Sequence, residues 1–331
     1  MTVCVAVRTN DAMVFADDSA STWQGRDASG NSVVLNVYRH GDKLFNLFKG
    51  LPIAAMTCGM GNIGDRIIGS LAKEFRNRLV AGNRDWRISP RDYTIEEVAR
   101  KAEKLLFQER FLALPQPQPT PHHFEFWVGG YAAESEAHDL WRVTIQNGKS
   151  QIDQLGPVGL TGIRWGGQPE AITRLLKGFD PNLRAALITH GLKPSDAAAI
   201  DTFVKSNFEV RLDAPSMPVQ DAIDLAVFLV DTTKGFARFK AGADTVGGDT
   251  DVAVVTRHEG YKWIKRKHYY DPQLNPLETD HVGHDLASAS RRNSVGSFLS
   301  PQAADLSISD AGVWERLRRR DDALRRRRKK H

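Results

Sequence analysis

Cysteine is scarce in this chain: among 331 residues there are two, Cys4 and Cys58, both inside apolar runs. Two thiols exclude a secreted disulfide framework, and their spacing offers nothing to a four-ligand zinc site. Each reads as a small core hydrophobe. No apolar run approaches the ~20 residues that a membrane-spanning helix requires. The opening MTVCVAVRTN has neither the basic region nor the long apolar stretch of a signal peptide, so a cytoplasmic protein with no membrane partner is expected. No Gly-Lys-Ser/Thr follows Gly247-Gly248, which removes that doublet from the phosphate-binding loops. His122-His123 has no convergent partners for a metal. The pattern calls for no metal and no cofactor.

Positive charge is also missing from the body of the chain. The formal net charge is +5, yet Glu315 to His331 alone holds ten Arg and Lys against three acids. Residues 1–314 therefore sum to about −2, and a nucleic-acid-binding core, which needs clustered positive charge on its folded face, is not indicated. The basic run RRRRKK near the end has two readings. It is a self-repelling solvated tail, or it binds an acidic partner or nucleic acid weakly and with strong salt dependence.

What is present begins with short β-rich runs. Residues 3–8 and 12–17 flank the polar turn Thr9-Asn10-Asp11 and predict a hairpin. Further strands are expected at 32–37, 43–48 and 52–57. From Gly61 to Leu79 apolar residues recur at three- and four-residue steps, which predicts a helix; a second is expected over 94–111, started by Thr94. Leu114–Pro121 is a proline-rich connector. Strands follow at 124–131, 139–145 and 150–155, the last two joined by Asn147-Gly148, a tight-hairpin signal. Helices are predicted at 169–177, 195–206 and 219–231, then strands at 251–256 and 261–265. Hairpin groups separated by helix groups favour stacked antiparallel sheets with helices outside, an α+β fold, over a doubly wound parallel sheet. Residues 1–265 read as the folded domain. Residues 266–331, rich in Asp, Pro, Ser and Asn, read as a flexible basic extension with a short helix at 309–324.

The chemistry starts at Thr2. A small second residue permits removal of Met1, and the new terminus would carry a hydroxyl and a free α-amine together, a self-contained nucleophile and base. An α-amine with pKa near ~7.7–8.0 is already roughly one-sixth neutral at pH 7, and a nearby lysine lowers it further. Asp18 closes the second strand, Lys43 opens a later one, and Met56-Thr57-Cys58-Gly59-Met60-Gly61 runs into a glycine turn with Asp65 just beyond. Taken singly, Asp18 is a loop cap and Lys43 a solvated strand residue.

Together these residues resemble the proteasome β-subunit family of N-terminal-nucleophile hydrolases. The likeness lies in the N-terminal Thr, the Asp ending the second strand, the Lys-Leu pair and the small-residue glycine turn before a helix. More loosely, Ile163-Arg164-Trp165-Gly166-Gly167 is similar to a later glycine turn of the family. Asp244-Thr245-Val246-Gly247-Gly248 before 251–255 is similar to its last loop and strand. The resemblance spans about residues 2–265, and the long tail and loose later motifs set it nearest a divergent bacterial branch, the ancestral β-type subunits. It implies a four-layer αββα sandwich and a threonine-type peptidase. Thr2 is then the nucleophile, Lys43 a charge donor held by Asp18, Gly61 (second choice Gly59) the oxyanion donor, and Asp244 a member of the amine-anchoring network. It further implies a peptide or unfolded-protein substrate, a homo-oligomeric ring and room for an ATPase partner. The absence of an extension before Thr2 favours a β-type subunit. Where the family carries a serine, this chain has Trp165 or Gly166, with Val246 or Thr245 at the second serine position. That leaves two other outcomes open: a non-catalytic scaffold, or a small-molecule amidase on the same fold.

Overall fold

A computed structural model describes residues 2–115 and 123–267, apart from the side chain of residue 32. The chain divides into Met1–Tyr269 and Tyr270–His331. The expected extension from 268 onward, its 309–324 helix and most of the proline-rich connector lie outside the described residues.

The strands in chain order are β1 (Val3–Arg8), β2 (Ala12–Asp17), β3 (Ser21–Arg26), β4 (Ser32–Tyr38), β5 (Leu44–Asn46), β6 (Ile53–Gly59), β7 (Asn62–Ile63) and β8 (Arg66–Ile67). Two helices follow, α1 (Ile68–Ala81) and α2 (Ile95–Glu103), the second running on as a π-helical segment, Lys104–Phe111. Then come β9 (His123–Tyr131), β10 (His138–Gln146), β11 (Lys149–Gln154) and β12 (Gly162–Gly167). Helices α3 (Glu170–Lys177), α4 (Leu183–Thr189), α5 (Pro194–Phe208) and α6 (Val219–Phe239) precede β13 (Asp251–Thr256) and β14 (Gly260–Lys265). The fold is α+β. One five-stranded antiparallel sheet has the order β12-β1-β2-β13-β14 and another the order β11-β10-β9-β6-β5, with β3-β4 and β7-β8 as separate ribbons.

Strand parity sorts the core. Val3, Val5 and Val7 of β1 and Ala12, Val14 and Ala16 of β2 face α3 and α6, packing with Ile172, Leu176, Ala226 and Leu229. Their alternates, Cys4, Ala6, Met13 and Phe15, meet Leu44, Ala54, Met56, Cys58 and Trp127 of the second sheet. The other face of that sheet, including Phe45, Ile53, Phe126 and Val143, packs on Leu71, Phe75, Val98 and Ala102 of α1 and α2. A period of two on strands buried on both sides explains the nearly unbroken apolar runs of β1 and β2. The same period puts Thr2 on the Cys4 side, facing the second sheet.

Several elements differ from expectation. The helix expected from Gly61 begins at Ile68, because 62–67 turn back on themselves as the β7-β8 ribbon around Gly64. Ile163–Gly167, read as a glycine turn, is an edge strand paired residue by residue with β1. Helix α6 runs on past 231 to Phe239, its Thr233 hydroxyl donating back to Leu229 O at 2.9 Å. Lys267 still belongs to the folded part: its N–H donates to Asp251 Oδ1 at 3.0 Å. No helix among the described residues is long and apolar enough to cross a membrane.

Candidate active site

Thr2 precedes β1 and Asp18 follows β2, so the β1-β2 hairpin brings them side by side. The Thr2 hydroxyl donates to Asp18 Oδ1 at 2.5 Å and the Val3 N–H donates to the same oxygen at 3.0 Å. Lys43, just before β5 on the facing sheet, reaches across: its Nζ lies 2.6 Å from Asp18 Oδ1 and donates also to Thr2 Oγ1. All three residues are buried, Thr2 at 2%, Asp18 at 0% and Lys43 at 7% exposure. An ammonium and a carboxylate out of water need mutual contact and further hydrogen bonds to be stable there. Asp18 has them, since its Oδ2 accepts from Ala20 N at 3.1 Å and from Gly247 N at 2.9 Å.

The hydroxyl borders a cavity of about 270 Å³ lined by Thr2, Lys43, Gly59, Gly61, Ile68 and Gly69 among others. Gly59 and Gly61 differ in what they tolerate. Gly59 has φ +96° and a Cβ there would lie 2.1 Å from His123 O, so the close approach of β6 to β9 demands glycine. At Gly61 an added Cβ meets only the Ser21 hydroxyl, at 3.0 Å.

The backbone of Thr2 is gripped as firmly as its side chain. Its carbonyl accepts from Gln168 N at 2.7 Å. Gly167 (φ +83°) makes that possible, because a Cβ on it would sit 2.0 Å from Thr2 O. Gly166 is crowded from the inter-sheet side, where a Cβ would lie 3.0–3.2 Å from Trp127, Glu125 and Cys4, so these neighbours would have to give way by a few tenths of an ångström. Trp165 points the other way and donates from Nε1 to the Thr173 hydroxyl at 3.2 Å.

No protein-family profile matches the chain, and no curated protein matches it either.

The structure thus gathers Thr2, Asp18 and Lys43 within hydrogen-bonding distance and sets Gly61 on the wall of the same cavity. Asp244 does not join them. Its Oδ2 pairs with Arg39 Nη2 at 2.8 Å, half in solvent, and the part of its loop that reaches Asp18 is the backbone of Gly247. Sequence reasoning missed Gly167, Gln168 and Gly247 as site-forming residues. The two glycine doublets were the available signal, since backbone donors leave no other mark on composition.

One buried acid next to the site has no partner. Asp17 is fully buried, neither carboxyl oxygen has a hydrogen bond, and Asp251 stands opposite it in register on β13. Burial first, then the Asp251 charge, raise its pKa well above the ordinary carboxylate range, against the opposing pull of Lys43 and Lys267.

Proposed function

We propose that this chain is a threonine-type N-terminal-nucleophile peptidase, built as a four-layer αββα sandwich of the proteasome β-subunit kind. The observation that carries the reading is a buried threonine hydroxyl held jointly by the Lys43 ammonium and the Asp18 carboxylate on the edge of a cavity. An ordinary solvated Met-Thr start would not be enclosed in this way. The succession of three apolar clusters, helices on sheet, sheet on sheet and sheet on helices, supports the layering.

In this proposal removal of Met1 frees the Thr2 α-amine. Thr2 Oγ attacks the peptide carbonyl as its proton, turned away from Asp18, passes to that amine directly or through one water. Lys43 lowers the proton affinity of the amine by like charge and stabilises the oxygen that loses the proton. Asp18 fixes the Lys43 ammonium. The N–H of Gly61 receives the developing oxyanion. The Thr2 α-ammonium so formed returns its proton to the departing amine as the C–N bond breaks, and water then cleaves the acyl ester, regenerating the Thr2 hydroxyl. A peptide or unfolded-protein substrate, a ring of like subunits, an ATPase partner and a cytoplasmic setting belong to the same proposal.

A second reading, a scaffold that has lost turnover, draws on Gly166. The residues facing Thr2 from β12 carry no hydroxyl to anchor the amine, and Trp127, Glu125 and Cys4 crowd the position of Gly166 where one would stand. Intact-mass analysis combined with an electrophile that captures N-terminal threonine separates the two. The peptidase requires a chain lacking Met1 whose label forms on wild type and vanishes in Thr2→Ala. A retained Met1 eliminates it, and an unlabelled chain starting at Thr2 favours the scaffold. Turnover of short amides without turnover of peptides would point to an amidase instead.

A further inference from the structure

Arg8 ends β1 at the far side of the strand from Thr2. It follows Cys4 and Ala6 at the two-residue period, so its side chain enters the space between the two five-stranded sheets. It is completely buried. Its Nη2 donates to Leu155 O at 3.0 Å, while Nε and Nη1, which carry three of its five N–H bonds, have no acceptor. Burial, with Arg164 as the second cause, pushes its pKa down to about 10, which still leaves a full positive charge at neutral pH.

No carboxylate of the described residues accepts a hydrogen bond from the Arg8 guanidinium. Asp139 acts on Arg8 from a distance, but its oxygens are taken by Leu140 N at 2.8 Å, Trp141 Nε1 at 2.6 Å and Gln154 Nε2 at 3.0 Å. His138 is kept neutral by burial and by Arg8 itself, and its Nε2–H is spent on Thr9 O at 2.9 Å. The Tyr131 hydroxyl, buried at the same end with its ring 6.0 Å from that of His138, has no partner and is held in its donor form by burial. Arg164 adds a positive charge nearby and Asp139 a negative one, while Asp11 acts on the Tyr131 side of the group. The connection after β11 closes over it, Gly156 (φ +105°) bringing its backbone so near that a Cβ would lie 3.5 Å from Arg8 Nη2.

We infer that Arg8 is the centre of a binding site for one small monovalent anion, of halide or formate size, enclosed between the sheets under the Leu155–Leu160 connection. A water molecule would satisfy the N–H groups without neutralising the guanidinium; an anion does both, and charge-assisted bonds of this kind are the stronger ones. The anion ties the end of β1 to the loop that follows β11, as Thr2, Asp18 and Lys43 tie its beginning to β5. This site is independent of the peptidase reading.

The test is bromide. Crystals of the full chain soaked in sodium bromide and measured at the bromine edge should show an anomalous peak within hydrogen-bonding reach of Arg8 Nε or Nη1. In solution the wild type should melt about 2–4 °C higher in bromide than in gluconate at equal ionic strength, and Arg8→Met should lose that difference. A parallel formate series tells a spherical halide pocket from a carboxylate pocket. Water alone at Arg8, an acidic side chain of the same chain seated there, or equal melting of wild type in both salts overturns the inference. Should Arg8→Met not fold, the diffraction and the wild-type salt comparison still decide.

Discussion

The Gly247 N–H donates to Asp18 Oδ2 at 2.9 Å, joining residues 229 apart in the chain at a single buried carboxylate. Asp18 is therefore a junction as well as a partner of Lys43. Thr2 and Val3, Ala20, and the loop before β13 all deliver donors to it. Removing the carboxylate strands every one of them, whereas removing the lysine leaves a carboxylate that still accepts four hydrogen bonds. Asp18→Ala is expected to cost about 3–5 kcal/mol and Lys43→Met distinctly less. Both should abolish labelling of Thr2. Chemical denaturation of the two variants checks the order; a Lys43→Met chain as unstable as Asp18→Ala would show that the ion pair, not the network, holds this corner.

Gly167 sets the position of the nucleophile through its backbone. Gly167→Ala puts a Cβ 2.0 Å from Thr2 O at a positive φ, so both strain and collision oppose it. The strain alone is worth about 1–3 kcal/mol. Gly30 (φ +81°) offers the control, since a Cβ there meets nothing within 4 Å. Gly30→Ala should lower the melting temperature modestly and leave Thr2 labelling unchanged. In Gly167→Ala the loss of stability should be larger, and labelling should fall at least tenfold, because the Gln168–Thr2 bond is forced apart.

Much of this arrangement was legible residue by residue. The β1-β2 hairpin, the Thr94 cap and the order of sheets and helices follow from polar turns, capping chemistry and apolar spacing, and Thr94 Oγ1 does accept from Glu97 N at 3.0 Å. Other features were hidden for physical reasons. Strand β3, STWQGR, carries a bulge at Trp23/Gln24 and no clean alternation. Helix α4 buries no residue, so it has no apolar face to announce it. β12 looked like a turn because its glycine doublet, Gly166-Gly167, answers to bulk on one side and to Thr2 on the other, a tertiary demand that no local rule encodes. At the site, Thr2 could be named from the chemistry of a terminal hydroxyl and amine, whereas Asp18 and Lys43, each ordinary when taken singly, were named through the family resemblance. Asp244 was named through the resemblance of its loop to the family's last loop, yet what that loop delivers to Asp18 is a peptide N–H.

Asp244 accordingly provides a sharp contrast with Asp18. Its pair with Arg39 is partly exposed on both sides, and such pairs are worth ~0–1 kcal/mol. Asp244→Ala should shift the melting temperature by no more than about 2 °C and leave Thr2 labelling within twofold of wild type. Loss of labelling without loss of stability would return Asp244 to the reacting groups.

Asp17 and Asp18 are neighbours in sequence with opposite circumstances, and the difference is measurable through pH. Asp18 has a lysine and four other donors; Asp17 has no hydrogen bond at all. The folded-state pKa of Asp17 is raised by burial and by Asp251, so the folded chain keeps a proton that the unfolded chain releases above about pH 4. Folding is therefore unopposed by this group at or below pH 4, and as pH rises toward neutrality the penalty grows until the folded-state pKa is passed. Asn in place of Asp17 keeps the shape and removes the titration. Asp17→Asn is expected to melt several degrees above wild type at pH 7, with the gap closing as pH falls toward 4. Melting curves of both proteins across pH 4–8 provide the measurement. A gap that stays constant with pH, or a wild type more stable at pH 7, would mean that Asp17 is ionised in the fold and is neutralised by Lys43 and Lys267 across the inter-sheet space.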